Sequence, residues 1–114
     1  MKVAVIGSRT ERMTELQKYL PGQTTEIGSG GAKGVDTDAK NYAQTHGIRM
    51  TEFLPDYRRY GKAAPLLRNL QIIAYADMVI AVWDGKSKGT KSVIDACEKR
   101  GIPLLVVRKD TDKQ

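Results

Sequence analysis

An open parallel α/β sheet of about five strands, sandwiched between helices in three layers, is the architecture that this 114-residue sequence predicts. Three observations predict it. Short apolar runs alternate with segments of helical periodicity along the chain, the order expected of successive strand–helix units. Three of those runs end in glycine-bearing turns, each placed to open a helix: Gly7-Ser8-Arg9, Gly28-Ser29-Gly30-Gly31-Ala32-Lys33-Gly34 and Asp84-Gly85-Lys86-Ser87-Lys88-Gly89-Thr90. Runs 3–6 and 78–83 are continuously apolar, as strands covered on both faces are.

Taken in order, residues 3–6 form a central strand ending at Gly7. Residues 10–20 place Met13, Leu16, Tyr19 and Leu20 at helical spacing, with Thr10 as N-cap and Pro21-Gly22 as the stop. Residues 24–27 are β-branched but half polar and predict a short second strand. Residues 34–46 carry Val35, Ala39, Tyr42 and Ala43 on one helix face, and Gly47 supplies a left-handed stop. The alternation in 48–54 predicts an edge strand. A basic aromatic loop, Tyr57-Arg58-Arg59-Tyr60-Gly61-Lys62, interrupts the pattern before Pro65 opens a helix to Tyr75. After the 78–83 strand, residues 90–99 turn Val93, Ile94 and Cys97 inward, Gly101 caps that helix, and 103–107 form the last strand. Residues 1–108 thus read as one domain, and 109–114 as a polar tail.

Composition narrows the function classes. Hydrophobic residues make up 40% and charged residues 28%, the balance of a soluble globular chain rather than a disordered or membrane-embedded one. Met1-Lys2 leads into a strand-like run without a signal-peptide layout, so the expected location is the cytoplasm. A single cysteine, Cys97, and a single histidine, His46, give no internal disulfide and no cysteine- or histidine-rich metal site. His46, near a helix C-terminus, reads as a surface residue that complements the helix dipole. The net charge of +6 attracts anions, from small phosphorylated ligands to nucleic acid. Basic residues gather around the turns (Arg9, Lys33, Arg58, Arg59, Lys62, Arg68, Lys86, Lys88, Lys91), which favours a compact anion over a DNA-binding stripe.

Glycine in 28–34 removes Cβ atoms, so backbone amides can approach an anion closely. The segment is neither a Walker A loop nor the dinucleotide fingerprint, since no glycine-lysine-serine/threonine unit follows and Lys33 occupies the third glycine position. A tight turn without ligand is the bland alternative. Asp36 either caps the following helix or contacts a ribose hydroxyl. Residues 84–90 mix glycines, lysines and hydroxyls in a phosphate-friendly way, although a solvated lysine loop has the same composition. On pattern alone Arg68-Asn69 divides evenly between water and a site. Trp83 is either a base-stacking ring or core.

Together these motifs resemble the SLOG superfamily, which unites SMF-type DNA-processing Rossmann domains with LOG phosphoribohydrolases, and within it the small YspA-type proteins. The matching elements are Val5-Ile6-Gly7-Ser8-Arg9, Ser29-Gly30-Gly31-Ala32-Lys33-Gly34-Val35-Asp36, Arg68-Asn69, Tyr75-Ala76-Asp77 and Trp83-Asp84-Gly85-Lys86-Ser87-Lys88-Gly89-Thr90, spread over most of the chain to Val107. The resemblance implies a Rossmann-like sheet in order 3-2-1-4-5 that binds nucleotides or NAD-derived molecules at its C-terminal edge. In LOG enzymes an arginine that Arg68 matches works with a glutamate in a proline-glycine-glycine-x-glycine-threonine-x-x-glutamate motif to break an N-glycosidic bond. Here Gly89-Thr90 match the glycine-threonine pair, but Trp83-Asp84 replace the proline lead-in, the loop is longer, and Val93 stands at the glutamate position. Cleavage builds positive charge on the ribose that a carboxylate must stabilise, which Val93 cannot do. Asp36, Asp84 or Asp95 are the substitutes available, and Asp95 is better placed to pair with Lys91 or Lys99.

The resulting expectation is a sensor or sequestering protein for a nucleotide or NAD-derived, linear or cyclic, signalling nucleotide. Its expected ligand-binding residues are Gly7, Ser8, Arg9, Ser29, Gly30, Gly31, Ala32, Gly34, Asp36, Arg68, Asn69, Asp84, Gly85, Ser87, Gly89 and Thr90. No metal and no cofactor are expected. The alternatives are a LOG-type nucleoside 5'-monophosphate phosphoribohydrolase, with Arg68 catalytic, and a DNA-binding accessory protein. A homodimer or higher homo-oligomer is expected through the broad apolar arc of the 65–75 helix, and no membrane partner.

Overall fold

The computed structural model describes residues 1–7, 12–13, 15–30 and 34–108. Five strands, β1 (Lys2–Gly7), β2 (Glu26–Ser29), β3 (Arg49–Glu52), β4 (Met78–Trp83) and β5 (Leu104–Arg108), form one sheet. All four pairings are parallel and the order is β3-β2-β1-β4-β5. This is the predicted Rossmann-like α/β architecture. The strand order reverses between β1 and β4, which pair from Val3↔Met78 to Gly7↔Val82. Asp77 extends that junction: its amide donates to the Lys2 carbonyl at 2.8 Å, and its Oδ2 accepts from the Lys2 amide at 2.8 Å.

Period-two side-chain alternation divides the core into two layers. Val3, Val5, Ile27, Ile80 and Val82 face α1 (Val35–Thr45), whose Val35, Ala39 and Ala43 are buried with Met13 and Leu16. Ala4, Ile6, Val79 and Ala81 face the opposite side, against Ile72 and Ile73 of α3 (Ala64–Tyr75) and Val93, Ile94 and Cys97 of α4 (Lys88–Arg100). Helices therefore cover both faces. Among the described residues no helix is long and apolar enough to cross a membrane.

Several boundaries differ from expectation. The helix predicted over 10–20 is absent among its described residues, which form a loop ending in a 3-10 turn at Leu16–Lys18. Its apolar side chains still reach the core, because Met13 and Leu16 anchor the loop while the Met13 amide donates to Asp38 Oδ2 at 2.7 Å. The second strand lies two residues later than predicted, so Gly28 and Ser29 belong to β2 rather than to the turn after it. The basic aromatic loop contains a short helix, α2 (Tyr57–Tyr60), closed by Asp56, whose Oδ1 accepts from the Arg59 amide at 3.2 Å. α4 begins at Lys88 with Ser87 as N-cap, placing Gly89 and Thr90 in its first turn. Gly101 ends it as the predicted cap, in a left-handed conformation at φ 68°.

Candidate functional site: a cleft at the strand-order reversal

An open cleft of about 640 Å³ lies at the C-terminal ends of the strands and takes in the β1/β4 junction. Crevices at this topological position are where open α/β sheets hold ligands, and the volume falls within the usual range for small-molecule sites. Gly7 ends β1, Gly30 follows β2, Asp36 comes from the first turn of α1, and Arg68 and Asn69 come from α3. Asp84, Ser87, Gly89 and Thr90 arrive from the β4–α4 connection. Nine predicted ligand-binding residues, drawn from all three glycine turns, from α1 and from α3, thus line one crevice.

Arg68 is turned into this cleft rather than to water. Its Nη1 donates to the Gly30 carbonyl at 2.8 Å and, at 3.4 Å, to the Phe53 carbonyl, while Nε donates to Asn69 Oδ1 at 2.9 Å. The guanidinium therefore bridges the chain segments that leave β2 and β3, and the buried Asn69 fixes its orientation. Glycine at position 30 is needed for this packing. A Cβ there would lie 2.7 Å from Arg68 Nη1 and 3.1 Å from Asp36 Oδ2, so cation and carboxylate converge on the space a side chain would fill. Gly7 has a different reason. Its Cβ would stand 2.7 Å from Val35 Cβ, so the bare glycine lets α1 seat directly on β1.

The β4–α4 connection is shaped by Asp84, whose Oδ1 accepts from the amides of Lys86 and Ser87, each at 2.8 Å. This is the local side-chain turn chemistry for which aspartate is suited. It delivers the N-terminus of the 13-residue α4 to the cleft, with the Lys88 and Gly89 amides in the first turn, where a helix has no carbonyl of its own to bond. Thr90, buried in the same turn, adds a hydroxyl, and Val93 adds an apolar side chain to the lining.

Other predicted residues lie elsewhere. Ser29 is fully buried in β2, and Gly34 is the residue before α1, at φ 77°; neither lines the cleft. Gly85 lines a second, shallower hollow with Trp83, Lys86, Lys88, Lys91, Ser92 and Asp95. Ser8, Arg9, Gly31 and Ala32 lie outside the described residues, as does the 109–114 tail. The expected basic focus is divided: among the described residues Arg68 supplies the cleft's cationic side chain, while Lys86, Lys88 and Lys91 border the second hollow. Lys91 pairs there with Asp95 at 2.8 Å, one of the two partners expected for that carboxylate. Trp83 is half-buried outside the cleft, donating Nε1 to the Ser87 carbonyl at 3.0 Å beneath the Arg108 guanidinium. His46 stacks on Tyr42 at the exposed C-terminal end of α1.

Sequence reasoning missed the cleft's apolar wall of Leu54, Pro55, Tyr57 and Pro65. Its signal was the aromatic loop, whose position on the cleft depends on β3 lying at the sheet edge beside β2. Among the described residues no group of three or more His, Cys, Asp or Glu side chains is arranged to hold a metal ion.

The chain is 35% identical to the Gene 61 protein of Mycobacterium phage D29 over an 82-residue alignment covering 67% of this chain and 66% of the phage protein. It thus spans just under two thirds of the phage protein that it matches. No protein-family model matches the chain. No solved structure matches it either.

Proposed function

We propose that the cleft binds a nucleotide, or an NAD-derived signalling nucleotide in linear or cyclic form, and that the protein acts as a SLOG-type sensor or sequestering protein without turning its ligand over. The observation behind this is the convergence of the three glycine turns and Arg68 on one crevice at the strand-order reversal. The first-turn amides of α4, with the hydroxyls of Ser87 and Thr90, suit a phosphate. Arg68 supplies positive charge, and Asp36 and Asn69 are placed to accept or donate to ribose hydroxyls. Val93 offers neither charge nor a water-activating group, which argues for binding over cleavage.

Incubation with AMP, GMP, CMP, UMP and ADP-ribose, followed by calorimetry and chromatographic separation, tests this. Saturable binding with unchanged nucleotide is expected, and Arg68→Ala should weaken it by about 1.5–3 kcal/mol through loss of a charge-assisted contact. Absence of binding across the panel overturns the nucleotide assignment. Free base and ribose phosphate among the products would instead favour the phosphoribohydrolase reading. One observation favours that second reading: Asp36, a buried carboxylate, and Arg68 both approach Gly30 inside the cleft. A second copy of the chain is the proposed partner, through the α3 face on which Leu66 is 53% exposed. A purely monomeric protein at micromolar concentration that still binds its ligand refutes that. Nucleic acid ranks below a mononucleotide, since the lysines lie away from the cleft; long-DNA affinity that falls steeply with salt would reverse the ranking.

A further inference from the structure

The chain leaving β3 carries two large apolar side chains that folding leaves in water. Leu54 is 63% and Tyr57 56% exposed, and with Pro55 they line the cleft on the side away from α4. Tyr57 opens α2 on a turn fixed by Asp56, whose carbonyl also accepts from the Tyr60 amide at 3.0 Å. The ring is therefore presented on ordered backbone. Tyr60, in the same turn, already has the Arg59 guanidinium 5.5 Å from its ring centroid. Among the described residues no ring and no cation lies against Tyr57.

Position within the sheet gives this wall its chemistry. β3 and β4 are three strand spacings apart, about 14 Å. That separation is comparable to the length of an extended nucleotide. A phosphate at the first turn of α4, beyond β4, leaves the ribose over β1 and β2 near Asp36 and Arg68, and carries the base toward the end of β3. The group that arrives there meets an aromatic face, a leucine and a proline, with Arg68 directed toward the Gly30 and Phe53 carbonyls. A flat, uncharged heterocycle matches such a wall; a second phosphate does not.

We infer that Leu54, Pro55 and Tyr57 form the base-binding wall of the cleft and that the Tyr57 ring stacks on the nucleobase, an inference that rests on the cleft being a nucleotide site. Base–aromatic stacking tolerates all bases, because each has a π face, so the wall adds affinity more than base selectivity.

The test compares AMP, GMP, CMP, UMP and ADP-ribose with ribose 5-phosphate, which keeps the sugar and phosphate and lacks the base. Calorimetry is run on the unaltered chain, Tyr57→Ala and Tyr57→Phe. The unaltered chain should bind at least one nucleotide more tightly than ribose 5-phosphate. Tyr57→Ala should weaken that nucleotide roughly 5- to 150-fold while leaving ribose 5-phosphate unchanged, and Tyr57→Phe should restore it. Equal affinity of the unaltered chain for nucleotide and ribose 5-phosphate overturns the proposal, as does a nucleotide affinity that Tyr57→Ala does not change. If Tyr57→Ala instead dissociates a dimer while nucleotide affinity holds, the wall is a contact between copies and the proposal is again overturned. Binding of neither the nucleotides nor ribose 5-phosphate removes the nucleotide reading of the cleft, and the base wall with it.

Discussion

Gly7 and Gly30 end neighbouring strands, yet adding one methyl group at each should have opposite consequences. Neither has the positive φ that disfavours alanine, so the outcome depends on what the new Cβ meets. At Gly7 it meets Val35 Cβ and Cγ2, each at 2.7 Å, on a helix locked into the core through Ala39 and Ala43. Relief requires α1 to move, and such overpacking costs about 1–3 kcal/mol. Reduced freedom of the unfolded chain returns about 0.4–1 kcal/mol. Gly7→Ala should therefore lose about 1–2 kcal/mol net, a fall in Tm of about 4–8 °C for a domain of this size. At Gly30 the methyl meets the far end of Arg68, with Nη1 at 2.7 Å, and a half-buried guanidinium can swing toward solvent. Gly30→Ala should stay within about 1 kcal/mol of the unaltered chain in stability and lose AMP affinity to about the extent that Arg68→Ala does. Thermal unfolding by circular dichroism, paired with calorimetry, separates the two effects. A Gly7→Ala variant that melts with the unaltered chain, or a Gly30→Ala variant that binds AMP normally, refutes the packing logic.

One further substitution and one labelling experiment probe features outside the cleft. Hydrogen bonds from Arg12, and the charge of its guanidinium, hold the Asp38 carboxyl below its ordinary range against the opposing effect of burial. A depressed folded pKa contributes stability that is fully present above the unfolded value, about 3.9, and is lost as pH falls through the folded value. Asp38→Asn should accordingly lower stability by about 1–2 kcal/mol at pH 7, with the difference narrowing below about pH 4; a gap that widens in acid contradicts the assignment. Cys97 is fully buried, and burial pushes its thiol pKa up. It should resist a thiol reagent at pH 8 in the folded protein and react at once in denaturant, whereas rapid labelling of the folded chain would mean that α4 opens readily.

Local chemistry made much of the molecule legible in advance. Continuous apolar runs of this length suit strands buried on both faces, so β1 and β4 lie close to the predicted 3–6 and 78–83, and Gly101 is legible as a cap from its lack of a Cβ. Met13, Leu16, Tyr19 and Leu20 satisfy helical spacing, yet the described residues 12–13 and 15–20 hold only a 3-10 turn at Leu16–Lys18. The described residues follow another course, held by a contact 25 residues distant between the Met13 amide and the Asp38 carboxylate of α1. The start of β2 was misplaced for a similar reason, since Thr24 and Thr25 have strand propensity but the ladder with β1 begins at Glu26.

The site followed the same division. Glycines and hydroxyls at the ends of strands, and an arginine in α3, determined which residues have the chemistry to hold an anion. Which of these meet was decided by sheet order and helix placement. The reversal between β1 and β4 gathers Gly7 with Asp84, Ser87, Gly89 and Thr90 at one crevice, α3 turns Arg68 inward to the Gly30 carbonyl, and Gly85, the lysines and Trp83 fall on the other side of α4's first turn. The edge position of β3 brings Leu54 and Tyr57 to the same crevice. Sequence carries propensity and functional groups, which are local properties. Convergence of groups 38 residues apart, as the Arg68 guanidinium and the Gly30 carbonyl are, depends on non-local packing that no local pattern encodes.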